Sequence, residues 1–166
     1  MVSRLLGTIG RLLRLGSGPQ DLPASWPLTI VLVAAFLLQN IVTGQQLNDE
    51  NAAAKSLLAV CLQIAVVTGL LAWRRCPERF TQTLSALIGV GIAFNLITWG
   101  LLTQSDPNAN QPVLAIAWFA TFIWSLLVDA NIYRHALSVT LSIGVLIAVL
   151  TLAANYFLVE LFFMTL

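Results

Sequence analysis

Charged residues are scarce in this chain. Only 9% of its 166 residues are Asp, Glu, Lys or Arg, whereas a soluble domain has roughly 25%. So few charges cannot cover a surface that faces water, and 58% of the residues are hydrophobic. The composition therefore excludes a soluble globular protein and indicates a chain whose solvent is mostly lipid. The formal net charge of +1 gives no reason to expect a nucleic-acid partner.

Histidine and cysteine are also scarce, which excludes several kinds of chemical site. The one histidine, His135, cannot supply the three or four ligands of a metal site, so we expect no metal, no cofactor and no enzymatic activity. Ser138 would face His135 on a helix, but no acid completes a catalytic triad, and an intramembrane hydrolase is the most remote hypothesis. Cys61 lies within a predicted span and Cys76 in a basic loop, so we expect no disulfide. Cys76 is either an unmodified thiol or a lipidated one.

Five apolar runs are long enough, or nearly so, to cross a membrane. A helix needs about 20 residues to span the ~30 Å hydrocarbon core. The predicted spans cover residues 28–44, 56–73, 83–103, 113–132 and 136–159. We therefore expect an all-α, polytopic membrane helix bundle with five transmembrane helices in residues 28–166, preceded by a separate segment in residues 1–27. Small residues at four-residue spacing, such as Ala65 and Gly69 or Gly144 and Ala148, predict close contacts between helices.

The last two predicted spans are separated by one polar stretch, "VDANIYRH" (Val128 to His135). A single helix from residue 113 to residue 159 would be ~70 Å long, more than twice the hydrocarbon thickness. The chain must therefore fold back. We predict that this stretch is a tight turn at an interface, with a kinked helical corner as the alternative.

The arginines predict how the bundle is oriented. If the N-terminus is cytoplasmic, seven basic residues face the cytoplasm and only Lys55 faces the other side. Lys and Arg favour the cytoplasmic side of a membrane. The cytoplasmic set is Arg4, Arg11, Arg14, Arg74, Arg75, Arg79 and Arg134. We expect a bacterial inner-membrane protein with a cytoplasmic N-terminus and a periplasmic C-terminus.

The N-terminal segment "SRLLGTIGRLLRLGSG" is too short to span a membrane but has an amphipathic pattern. On a helical projection, Arg4, Arg11 and Arg14 lie opposite the leucines. This pattern predicts an interfacial amphipathic helix whose basic face binds anionic lipid head groups. The proline-rich connector "GPQDLPASWP" then discourages helix until Pro27, which suits the first turn of the first span.

Three polar residues inside or near the predicted spans form a candidate intramembrane site. Asp129 is a functional candidate because an acid within a membrane is energetically costly. Its structural alternative, which the sequence favours, is a helix-end anchor that pairs with a nearby arginine: Arg75, Arg79 or Arg134. Gln63 and Asn95 either hydrogen-bond each other and pack two spans together, or line a solute path with Asp129. Packing is the favoured role.

Two stretches carry a resemblance to known proteins. The sequences "CPERFTQTLSALIGVG" (Cys76 to Gly91) and "WSLLVDANIYRHALSV" (Trp124 to Val139), after the N-terminal "GPQDLP", resemble small bacterial five-span membrane proteins of the Yip1-like type. The resemblance covers most of the chain. It implies a short cytoplasmic N-terminus followed by five packed spans, no catalytic residues, and a role in membrane organisation and partner binding.

Two functional hypotheses follow from these observations. The leading one is a non-enzymatic integral membrane module that binds anionic lipid, other membrane proteins or further copies of itself through the seven cytoplasmic arginines. The alternative is a small transporter or channel subunit with a polar path near Gln63, Asn95 and Asp129. The first places function at a face of the membrane, and the second places it between the helices.

Overall fold

The fold consists of helices joined by short loops. A computed structural model describes residues 2–47, 49, 51–105 and 111–164, with side chains for residues 5–163 of these ranges. The helices are α1 (Val2–Leu13), α2 (Trp26–Gln46), α3 (Ala52–Trp73), α4 (Phe80–Leu102), α5 (Pro112–Leu137) and α6 (Leu141–Met164). Single 3-10 turns at Pro19–Asp21 and Pro77–Arg79 precede α2 and α4. The described residues contain no strand, and the predicted all-α bundle is confirmed.

The five helices α2 to α6 are each long and apolar enough to cross a membrane, judged by length and composition. The predicted number of spans is therefore confirmed, and the first three predicted spans coincide with α2, α3 and α4 apart from a few residues at their ends. Pro27 and Pro112 lie in the first turns of α2 and α5, where a missing N–H leaves no intrahelical bond unmade. Large apolar side chains such as Ile30, Val113 and Phe157 are exposed on the outside of the bundle.

The predicted turn at Val128–His135 is wrong. These residues lie within α5, and the chain reverses later, at Ser138–Thr140. The stretch contains no Gly or Pro, so nothing in it interrupts the helix. Ser138 instead adopts a left-handed conformation (φ 53°), and the Val139 N–H donates to the Arg134 carbonyl at 3.0 Å, which is the Schellman pattern of helix termination. The fourth predicted span is therefore too short, and the fifth begins too early.

Two arginines cap the C-terminal end of α5. The α3–α4 and α5–α6 connections lie at one end of the bundle, here called the basic end, which carries Arg74, Arg75, Arg79 and Arg134. Arg74 Nε donates to the Leu137 carbonyl at 3.2 Å. Arg79 Nη1 donates to the Ala136 carbonyl at 3.0 Å and to the His135 carbonyl at 3.3 Å. The last carbonyls of a helix have no intrahelical partner and form the negative end of its dipole, so both cations stabilise this end.

Helix α2 packs along α4 through polar contacts at several levels. Thr29 Oγ1 and Ser85 Oγ are hydrogen-bonded at 2.8 Å near the basic end. Gln39 Nε2 donates to a backbone carbonyl of α4 at 3.3 Å. Near the opposite end, Trp99 Nε1 donates to Gln46 Oε1 at 2.6 Å. Interhelical hydrogen bonds of this kind contribute about 0.6 to 2 kcal/mol each in membrane helices.

The N-terminal helix α1 packs on the bundle. Its contacts are with α4 and α5, and Leu12 is completely buried. Trp124 Nε1 of α5 donates to the Leu13 carbonyl at 2.8 Å, and Asn131 Nδ2 donates to the Ser17 carbonyl at 3.2 Å. The predicted amphipathic helix is confirmed, and protein, rather than lipid alone, covers its apolar face.

The end of the bundle opposite the basic end carries a surface ion pair. Lys55 Nζ lies 3.0 Å from Asp49 Oδ2, and Asp49 Oδ1 also accepts a hydrogen bond from the Asn51 N–H at 3.0 Å. The hydrogen bond from Lys55 holds the pKa of Asp49 below its ordinary value of 3.8. The Lys55 ammonium also lies 5.8 Å from the centre of the Phe163 ring, which ties the start of α3 to the end of α6.

Candidate functional site

A cavity of about 490 Å³ lies between α3, α4, α5 and α6, with Phe36 of α2 also in its wall. Most of its wall is apolar, and its polar lining residues are Gln63, Asn95, Ser125, Asp129, Tyr133, Thr151, Asn155, Tyr156 and Glu160. Ligand sites in proteins are typically about 300–1,000 Å³, with an apolar wall and a few convergent polar groups. The cavity has both properties.

The three residues of the predicted intramembrane site meet in this cavity. Gln63 comes from α3, Asn95 from α4 and Asp129 from α5. Their spacing in the sequence cannot predict that they meet, because each residue lies on a different helix. The structure thus joins the three residues in one cavity.

The local sequence explains why polar groups face the cavity. Ser125, Asp129 and Tyr133 follow each other at four-residue spacing on α5, and Thr151 and Asn155 do so on α6. Residues four apart lie on the same face of a helix. All five line the cavity, so the polar faces of two neighbouring helices meet inside the bundle.

The expected hydrogen bond between Gln63 and Asn95 is absent. Gln63 Nε2 donates instead to the Tyr133 hydroxyl at 2.9 Å, and Thr151 lies beside the same hydroxyl. Asn95 Nδ2 points to Asn40 Oδ1 at a long 3.5 Å. The prediction was wrong because Tyr133, which the sequence places in a turn, lies on the helix face that meets Gln63.

The two carboxyl groups of the cavity have no ionic partner. Asp129 is half-buried, and within the described ranges neither its carboxyl nor that of Glu160 accepts a hydrogen bond or forms a salt bridge. The expected pairing of Asp129 with Arg75, Arg79 or Arg134 is therefore wrong. The reason is the added length of α5: it places Asp129 about two turns, or ~12 Å, from the end of the helix.

The basic residues divide into two groups. Arg74 and Arg79 cap α5, while Arg75 and Arg134 are exposed at the basic end. On α1 and just after it, Arg11 and Arg14 are also exposed, and Arg11 Nη2 lies 3.3 Å from Thr8 Oγ1. The side chain of Arg4 lies outside the described residues.

Ser138 and His135, the remaining candidates from the sequence, bond to other groups rather than to each other. Ser138 Oγ accepts a hydrogen bond from Arg79 Nη1 at 3.1 Å, and His135 Nδ1 lies 2.8 Å from the Asn131 carbonyl oxygen. Cys61 and Cys76 are free thiols. The part of the chain that the structure describes contains no group of three or more His, Cys, Asp and Glu residues placed to hold a metal ion.

Several cavity residues carry no clear signal in the sequence. Tyr133 falls in the predicted turn, and Thr151, Tyr156 and Glu160 lie in an apolar run where no single residue indicates a site. The four-residue spacing of Asp129 and Tyr133 is the available signal, and it is informative only once α5 is known to continue through both residues.

The fold and the cavity together define a class: a helix bundle with five helices apolar enough to cross a membrane, and with a largely apolar cavity that holds several polar side chains. Comparison with protein-family models, with curated proteins and with solved structures found no match. The resemblance to Yip1-like proteins therefore stays a prediction.

Proposed function

We propose that this protein binds a small solute in the cavity between α3 and α6, as a small transporter or channel subunit does. The observation that carries the proposal is the meeting of Gln63, Asn95 and Asp129, from three helices, in one cavity of ligand size. Ionisable residues within membrane spans are rare and typically belong to substrate or ion pathways.

Packing alone is a poor explanation of this arrangement. A hydrogen-bonded amide such as Gln63 stabilises helix contacts, but Asp129 makes no such bond within the described structure. A carboxyl that is partly buried without a hydrogen-bond or ionic partner costs stability. Such a cost is expected at a binding site, where a ligand completes the set of partners.

Flux through reconstituted protein tests the proposal. In proteoliposomes, we expect the wild type to carry proton-coupled flux and the Asp129→Asn variant to have lost it while keeping its helical content. Asp49→Asn, which removes a partly exposed acid outside the helices, serves as the matched control and should carry flux like the wild type. Equal flux in all three proteins, or none of any tested solute or proton in the wild type, would count against a transport function.

A second candidate function rests on the basic end. Arg75 and Arg134 are exposed there, and their charges favour an anionic lipid surface or an acidic partner, at about 1 kcal/mol per residue near such a surface. This supports the proposal of a membrane module whose basic end, in the cytoplasm of a bacterial inner membrane, binds lipid or another membrane protein. Crosslinking in native membranes tests it: wild type should recover a specific lipid or protein that the double variant Arg75→Gln/Arg134→Gln loses. Recovery unchanged by that variant would contradict it.

A further inference from the structure

We infer that the ligand of this cavity is a small organic cation, an ammonium group on an apolar body, bound through the carboxyl group of Asp129, with Glu160 at the opening of the cavity. The inference rests on the proposed solute-binding function and assigns its ligand class. Four features of the cavity support it: its charge, its unpaired acceptor, its aromatic wall and the different depths of its two acidic residues.

The described charged residues that line the cavity are all acidic. Asp129 and Glu160 are acids, and no described lining residue is Lys, Arg or His. Lys55, a basic residue on the neighbouring part of α3, is held 3.0 Å from Asp49 instead. A carboxylate removed from water needs a counter-charge or it destabilises the fold, and the described residues bring none to the cavity. A cationic ligand supplies the missing charge.

An unpaired acceptor indicates a ligand that donates hydrogen bonds. The Oδ1 atom of Asn155 is buried and has no hydrogen-bond partner in the described structure, and Asn155 lines the cavity. An ammonium group has up to three N–H donors and no acceptor. It can therefore serve a carboxylate and the Asn155 oxygen at the same time, which neither a quaternary ammonium nor an anion can do.

The wall fits an apolar body with a cation attached. Phe36, Phe94, Tyr133 and Tyr156 all contribute to the lining, and aromatic faces attract cations within about 6 Å. Phe94 is held in place by an edge-to-face contact with Trp124, with ring centres 5.2 Å apart. A volume of about 490 Å³ is far larger than a bare metal ion requires, so the size favours an organic ligand.

The two acidic residues lie at different distances from the opening of the cavity. Helices α5 and α6 form an antiparallel hairpin, and Gly144 of α6 lies against Ala130 and Arg134 of α5, so Asp129 lies near the level of Gly144. Glu160 lies ~24 Å beyond Gly144 along α6, which places it ~20 Å from Asp129 along the bundle. Tyr156 lines the cavity yet is 71% exposed, so it stands at the opening. Glu160, one turn from Tyr156, thus meets an incoming cation before Asp129 does.

Three probes with one aromatic body and different charges test the inference. Full-length protein in lipid nanodiscs is titrated with phenethylammonium, 2-phenylethanol and phenylacetate, and binding is followed by calorimetry and by the shift of the unfolding temperature. We expect wild type to bind the ammonium probe more tightly than the other two probes. Asp129→Asn should bind the ammonium probe about 30-fold more weakly than wild type, because removal of one partner of a buried charge pair typically costs that much affinity or more. Asp129→Glu, which keeps the charge, should retain most of the affinity. Asp49→Asn should bind like wild type.

The remaining outcomes separate the two proposals. If 2-phenylethanol or phenylacetate binds as tightly as the ammonium probe and Asp129→Asn changes nothing, the ligand class is wrong, whereas a cavity that binds solutes still stands. If no probe binds wild type and Ser125→Leu, which projects apolar volume into the cavity, stabilises the protein, the cavity is a packing defect and both proposals fail. Helical content measured by circular dichroism identifies any variant that has not folded.

Discussion

Helices α5 and α6 approach each other closely at Gly144, and this contact allows a quantitative test of the packing. A Cβ atom built on Gly144 would overlap the Ala130 carbonyl oxygen and lie 3.3 Å from Arg134 Cβ. The obstacle is backbone, which cannot rotate away as a flexible side chain would. Gly144→Ala must therefore push α5 and α6 apart at Ala130, the neighbour in sequence of Asp129, which lines the cavity.

The expected free-energy change comes from two opposing effects. Overpacking a tight contact costs about 1–3 kcal/mol, while replacing glycine by alanine within a helix gains up to about 1 kcal/mol. Gly69→Ala on α3 is the matched control, because a Cβ atom added at Gly69 would meet nothing within 4 Å. The helix-propensity gain is common to both variants, so the difference between them isolates the overpacking cost of about 1–3 kcal/mol.

Reversible unfolding in mixed micelles, followed by circular dichroism, measures this difference. We expect Gly144→Ala to unfold at a lower concentration of denaturing detergent than wild type. Gly69→Ala should unfold at the same concentration as wild type or at a slightly higher one. If the two variants unfold at the same detergent concentration, α5 and α6 do not approach each other closely at Gly144. That result would also contradict the arrangement of α5 and α6 around the cavity.

Three further predictions concern the cap of α5, the docking of α1 and the ion pair of Asp49 with Lys55. Arg79→Ala removes one of the two arginines that cap α5 and should lower the free energy of unfolding by about 1 kcal/mol in the same detergent assay, whereas Arg75→Ala, at an exposed arginine, should leave it unchanged. Trp124→Phe removes the bond to the Leu13 carbonyl and should speed amide hydrogen exchange in α1, with the other helices unchanged. Because Lys55 lowers the pKa of Asp49, their pair stabilises the fold above pH 3.8 and is lost as the pH falls through the lower folded-state pKa. Asp49→Asn should therefore remove part of the acid sensitivity of unfolding below about pH 4; an unchanged pH profile would contradict this.

The number and approximate positions of the membrane helices follow from the sequence because they depend on local composition. Apolar runs bounded by polar residues or proline define α2, α3 and α4 to within a few residues. The same reasoning fails at the α5–α6 connection. A cluster of polar residues there predicts a turn, whereas the helix continues because the stretch has no Gly or Pro, and Asp129 and Tyr133 face other polar side chains in the cavity.

The site is only partly predictable. Gln63, Asn95 and Asp129 are recognisable one by one as polar residues in apolar surroundings, but their meeting depends on the register of three helices, which sequence spacing does not determine. Glu160 lies so near the end of the last span that its position alone indicates no site. The docking of α1 is also unpredictable, because an amphipathic helix has the same pattern whether its apolar face meets lipid or protein.

Thiol accessibility tests the central claim, that a cavity with several polar side chains opens inside the bundle away from the basic end. In a background without Cys61 and Cys76, single cysteines are placed at Ser125 on the cavity wall, at Phe119, which is 66% exposed on the outside of α5, and at Arg75. We expect a cationic, membrane-impermeant thiol reagent to modify Ser125→Cys from one side of the membrane and Arg75→Cys from the other side. Phe119→Cys should stay unmodified. An unreactive Ser125→Cys, or one modified from the same side as Arg75→Cys, would contradict it.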